Sequence, residues 1–151
     1  MRQVLKFLSQ TIGDNSFIGD VNIYEVLNYV DASYGMRNYM RGHTDGFMTY
    51  GWRLIDEKSS KQKLNTKIST GSEVVGASDN IPFSIWLDMY TEHKSFKVKQ
   101  NQPMHDNMSA MKMEKNGQNS CTGNSRHINT RYLFVKDRFD KKEIDIVHCP
   151  T

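Results

Sequence analysis

Between residues 24 and 31 the chain reads Tyr24-Glu25-Val26-Leu27-Asn28-Tyr29-Val30-Asp31, bounded by Gly19-Asp20 before it and Gly35 after it. β-Branched and aromatic residues in so short a bounded run predict a strand. Its apolar side chains fall on both parities, which suits a central strand covered on both faces. Residues 44–52 alternate and predict a second strand; residues 52–56 predict a third, pairing back after the turn at Gly51. From Ser69 or Thr70, either of which can cap a helix, apolar positions run through Val74, Val75 and Ala77 and resume after Pro82 at Phe83, Ile85, Trp86, Leu87 and Tyr90. Asp79-Asn80 followed by Pro82 predicts a break into two pieces. A fourth strand is expected over residues 95–99, running on towards Met104, and Asp106-Asn107 then cap a helix over 108–115 that Asn116-Gly117 ends. Residues 126–139 predict another helix and 143–148 alternate as a last strand. At the front, Val4, Leu5, Leu8 and Ile12 recur at helical spacing from Met1 with no cap, as expected for a helix cut into rather than started.

Three antiparallel strands followed by βα units imply a mixed sheet with helices on its faces. The first strand then lies centrally. The fourth runs parallel beside it after a right-handed crossover. No internal repeat or low-complexity segment interrupts this order.

Composition narrows the picture a little. At 151 residues one domain is expected. With 37% hydrophobic residues and a mean hydropathy of −0.67, the core must be economical and the surface polar. A net charge of +3 and a pI near 8.8 permit nucleic-acid contact without demanding it, so local clustering of cations decides. Lys58, Lys61, Lys63 and Lys67, spaced among Ser, Gln, Asn and Thr, form either a solvated loop or a phosphate-contacting edge. Cys121 and Cys149 make neither a disulfide framework nor a zinc spacing, so a reduced, intracellular protein, cytoplasmic or nuclear, is expected. The apolar start is too short for a signal peptide and is broken by Lys6 and Gln10. No stretch approaches membrane-spanning length.

Three acids stand out. Asp31 shares the parity of Leu27 and Tyr29, where a carboxylate is expensive unless a cation or hydrogen bonds satisfy it. It reads either as a metal ligand at a strand end or as the start of an Asx turn into Ser33. Asp106 lies at the exit of the neighbouring parallel strand. Glu73 is expected in the first turn of its helix, where the dipole favours an anion, or as a catalytic group lowered towards the other two. Three carboxylates so gathered repel. Mg²⁺ relieves such repulsion with a few carboxylates, waters and substrate phosphate, and two such ions suit hydrolysis of a phosphodiester.

The run of residues 58–73, Lys58-Ser59-Ser60-Lys61-Gln62-Lys63-Leu64-Asn65-Thr66-Lys67-Ile68-Ser69-Thr70-Gly71-Ser72-Glu73, resembles the ribonuclease H segment of copia-type retrotransposon Pol polyproteins. So do Asp106-Asn107-Met108-Ser109-Ala110, Ser125-Arg126-His127-Ile128-Asn129-Thr130-Arg131-Tyr132, the stretch 29–33 and His43-Thr44-Asp45-Gly46, so the resemblance spans nearly the whole chain. It implies a ribonuclease H-like mixed five-stranded sheet flanked by helices over residues 21–151, incomplete at its C-terminal end. Residues 1–20 resemble the tail of the reverse-transcriptase region. It further implies cleavage of the RNA strand of RNA–DNA hybrids by two Mg²⁺ ions, with Mn²⁺ as a substitute. Asp31, Glu73 and Asp106 correspond to three of four metal-binding, catalytic carboxylates. Lys58, Lys61, Lys63 and Arg126, with His127, become hybrid-contacting residues; a packing role for His127 stands beside that reading. Three features depart from the pattern, one being Asp45 where the second Gly of a Thr-Gly-Gly turn is usual. The fourth carboxylate belongs to an Ala-Asp pair expected beyond Thr151, and none of Asp137, Asp140 and Asp145 matches it. Gly71 replaces an acid two residues before Glu73 and weakens the helix start by roughly 1 kcal/mol relative to Ala. Weak or absent activity is therefore expected, with a non-catalytic nucleic-acid-binding module or a non-functional remnant as the alternatives.

Overall fold

The strand expected at residues 24–31 forms and continues to Ser33, as the middle of a five-stranded sheet. The computed structural model describes residues 2–14, 24–35, 41–64, 66, 68–117 and 126–150. In chain order the elements are α1 (Arg2–Gln10), β1 (Glu25–Ser33), β2 (His43–Tyr50), β3 (Arg53–Lys61), α2 (Ser69–His93), β4 (Gln100–His105), α3 (Met108–Asn116), α4 (Arg126–Asp140) and β5 (Val147–His148). The sheet order is β3-β2-β1-β4-β5. The first three strands are antiparallel, and β1–β4 and β4–β5 are parallel. The meander and the parallel crossover thus stand as the hydrophobic pattern predicts.

The covering of the sheet differs from expectation. Val26, Asn28, Val30 and Ala32 are buried, whereas Leu27 and Tyr29 on the other parity are only half-buried and Asp31 is exposed. Helix α2 lies against β1, β2 and β4, with α3 and α4 packed on it. On the opposite face Tyr29 stacks on Phe47 at 4.5 Å between ring centroids, and Phe47 remains 47% exposed. A half-apolar parity is therefore not proof of a second covering layer; here it is a half-open face.

Helix α2 is one continuous element through Pro82, where a break was expected. Proline gives no N–H to the carbonyl of Ser78, which costs about 3 kcal/mol in a helix interior. Burial offsets it: every residue from Gly71 to Ser78 is buried, and Ile81 and Ser84 carry the buried face across the proline. Ala77 and Ile81 join Met111, Val135, Ile144 and Ile146 in one cluster. Val26, Met48 and Val98 form another beneath Leu87.

Other boundaries shift. Strand β4 begins at Gln100, beyond the expected 95–99, and β5 is confined to Val147–His148 of the expected 143–148. Strand β3 runs to Lys61, so Lys58 and Lys61 stand on an edge strand rather than in a loop. Helix α3 is capped as expected: the Asn107 side chain accepts from the Ser109 and Ala110 amides, and Gly117 closes it at φ 63°. Residues 15–23, 36–40 and 118–125 lie outside the described residues, as do Lys67 and the side chains of Arg126 and His127. Helix α1 has no buried residue and touches no other described element. Among the described residues no helix is long and apolar enough to cross a membrane.

Candidate metal centre

Strand register builds the site. Tyr29 pairs with Met104 in the parallel β1–β4 ladder. Two residues further along each strand come Asp31 and Asp106, so both carboxylates leave the sheet at the same end.

Glu73 is delivered by α2. The helix has Ile68 as its N-cap, without a side-chain cap, so neither Ser69 nor Thr70 caps it. No acid lies in the first turn, so Glu73 sits deeper than expected and the helix dipole is not what holds it. Instead the helix is clamped to the sheet. Gln62 Nε2 donates to Thr44 Oγ1 and to the Ser72 carbonyl, each at 2.8 Å, and Ser72 Oγ donates to Gln62 Oε1 at 2.9 Å. One turn on, a Cβ at Gly76 would lie 3.0 Å from Thr44 Cγ2 and 3.1 Å from Val30 Cγ1. Glycine there lets the helix approach close enough for Glu73 Oε1 to accept from the Ala32 amide at 3.2 Å. That amide belongs to the residue after Asp31.

One ligand atom from each of Asp31, Glu73 and Asp106 lies within 4.8 Å of the others. Asp31 and Asp106 are exposed, while Glu73 is 5% exposed and its Oε2 has no hydrogen-bond partner among the described residues. Burial pushes the Glu73 carboxyl up to about 7; the Ala32 amide opposes the rise, and Asp106 and Asp31 add to it. Two solvent-facing carboxylates over an enclosed one with a spare oxygen form a donor set for a hard, oxygen-seeking cation. The residues present fit a divalent ion.

Beside the cluster is a cavity of about 720 Å³ on the open sheet face, lined by Tyr29, Phe47, Met104 and Lys58 as well as Asp31 and Asp106. Lys58 therefore shares the site. Lys61 pairs in register with His43 at the end of β3, and Lys63 is exposed beyond it. Asp137 and Asp140 are occupied elsewhere, by Lys141 and Arg138 and by Lys136 respectively. Asp45, opposite Asp31 in the β1–β2 register, lines the same cavity with His43 Nε2 at 3.4 Å.

Sequence reasoning missed Gln62, Ser72 and Gly76. Only Gly76 left a signal, as a lone glycine inside a helical pattern. The other two act through partners set by the fold.

No protein-family model matches the chain. The retrovirus-related Pol polyprotein from transposon TNT 1-94 of Nicotiana tabacum is 22% identical over 152 residues, taking in 100% of this chain and 11% of the polyprotein's length. Among solved structures, LC11-RNase H1, isolated from compost by a metagenomic approach, superposes with a TM-score of 0.58 at 12% identity, covering 84% of this chain and 85% of that one. The same enzyme in complex with an RNA/DNA hybrid gives 0.56 at 10% identity over 83% and 85%. The protease–reverse transcriptase of prototype foamy virus gives 0.55 at 13% identity, covering 90% of this chain and 19% of that one. The fold is ribonuclease H-like, and the sequence likeness is to a retroelement polyprotein.

Proposed function

We propose that this chain is a ribonuclease H-type domain of a copia-type retroelement Pol polyprotein, with residues 1–20 as the tail of the preceding reverse-transcriptase region. Its ancestral reaction is hydrolysis of the RNA strand of RNA–DNA hybrids during reverse transcription. The convergence of Asp31, Glu73 and Asp106 at adjacent strand ends carries the reading. Mg²⁺, or Mn²⁺ in its place, supplies a water of lowered pKa and neutralises charge on the phosphate when bound. Asp31, Asp106 and Glu73 would hold it, the Glu73 carboxylate oriented by the Ala32 amide. Lys58 stands on the rim of the same cavity, where it can pair with the hybrid's backbone phosphate. Lys61 and Lys63 continue along the same edge, and by the resemblance Arg126 and His127 are further hybrid-contacting candidates. Among the described residues α1 touches no other element, which supports treating residues 1–20 apart from the ribonuclease H-like domain.

Among the described residues three carboxylates converge, a set that holds one ion better than two, so weak or absent turnover is the expectation. The test is a hybrid-cleavage assay in Mg²⁺. Little or no RNA cleavage, with Mn²⁺ binding that Asp106→Asn weakens, is the expected result. Robust cutting abolished by Asp106→Asn would overturn the inactive half of the proposal and keep the enzyme. Hybrid binding that survives loss of all three carboxylates, with no metal binding in the unaltered chain, would favour a non-catalytic binding module.

A further inference from the structure

Directly before Asp106, His105 points into the protein and is fully enclosed, and so is Glu114 on α3. The His105 Nε2 and Glu114 Oε2 atoms lie 3.5 Å apart. Both nitrogens of the one and both oxygens of the other are buried without a well-formed hydrogen bond among the described residues. A polar pair enclosed at this cost needs a reason, since apolar residues of similar volume would ordinarily fill the space as well or better. The location suggests it. Strand β4 ends at His105, Asp106 follows, Asn107 caps α3, and Glu114 returns two turns down that helix to the ring of His105. The same strand end is gripped from β5 and the residue after it: the Cys149 amide donates to the His105 carbonyl at 2.7 Å and His148 Nε2 meets the Asp106 carbonyl at 3.2 Å. Glu114 also lies close enough to Glu73 for the charge of Glu73 to act on it.

We propose that Glu114 and His105 are positioning residues for the carboxylate cluster, their enclosed contact holding the end of β4, and with it Asp106, against Glu73 and Asp31. The proposal rests on the metal-site reading above.

Mn²⁺ titration of the full chain, followed by the EPR signal of the free ion, tests it alongside thermal unfolding in EDTA. Glu114→Leu should weaken Mn²⁺ binding about 10-fold, as loss of an outer partner of a metal ligand does, while leaving unfolding in EDTA unchanged or raised. Glu114→Gln keeps a polar group facing His105 and should bind within about twofold of the unaltered chain, well inside that loss. If Glu114→Leu does not fold, the paired replacement His105→Leu with Glu114→Leu carries the same expectation. Binding by the folded Leu variant equal to that of the unaltered chain overturns the positioning role alone. An unaltered chain that binds no Mn²⁺ overturns the metal site, and the positioning role with it.

Discussion

At the scale of single residues, Glu73 is the group whose behaviour departs furthest from its free form among the three acids. Its folded-state pKa stands near 7, above the 4.5 of a free glutamate. The folded chain therefore keeps this proton where the unfolded chain has lost it. Stability that Glu73 contributes below pH 4.5 is lost as pH rises through 7, on the order of 3 kcal/mol in the metal-free protein. Glu114 slopes the same way up to about 8, while His105, held near 4, slopes oppositely between 4 and 6.5. Glu73→Gln removes only its own part, so the variant should lose less stability than the unaltered chain between pH 5 and 7.5 in EDTA. Metal binding runs the other way, because the ion must displace the proton. Mn²⁺ affinity should rise about tenfold per pH unit below 7 and flatten above it, and Glu73→Gln should abolish the slope. Calorimetric titration at three pH values checks this; a flat profile in the unaltered chain would remove Glu73 from the ligand set.

At the scale of elements, the site depends on how closely α2 approaches the sheet. Thr44 is held by Gln62, and Val30 is a stiff β-branched residue in the central strand, so neither gives way readily to a side chain at position 76. Gly76→Val should cost on the order of 2–3 kcal/mol despite removing a helix glycine, and should weaken Mn²⁺ binding by lifting Glu73 from the Ala32 amide. Urea denaturation and Mn²⁺ titration measure the two effects separately. The element types were legible from the sequence, since alternation and helical spacing are local properties. Some boundaries were not. Pro82 reads as a break because its cost is local, whereas the burial of Ile81 and Ser84 that offsets it comes from the sheet, α3 and α4. The expected cap at Ser69 or Thr70 failed similarly: Ser72 and Gln62 supply the tether at the start of α2.

At the scale of the molecule, β3 forms an edge of the sheet, and Lys58 shares the cavity of the carboxylates while Lys61 and Lys63 continue beyond it. If these lysines contact a hybrid, replacing all three with Ala should lower the slope of log affinity against log salt by about 2–3 while leaving the fold intact. Fluorescence anisotropy of a labelled hybrid from low to moderate salt gives the slope, and an unchanged slope would return the run to ordinary solvated surface.

By itself the sequence determined the order of strands and helices, the parallel pairing of the first and fourth strands, the Asn107 cap, and three acids whose positions resemble those of a ribonuclease H site. These follow from periodicity, turn chemistry and residue identity along the chain. Only the tertiary structure decided that one sheet face stays half-open, that α2 persists through proline, that Glu73 is enclosed rather than set in a first turn, and that Glu114 reaches back to His105. Each of these depends on which surfaces exclude water, and burial is a property of elements packed together: the same glutamate that reads as a helix-start anion becomes a proton-holding acid once the sheet, α3 and α4 close around it.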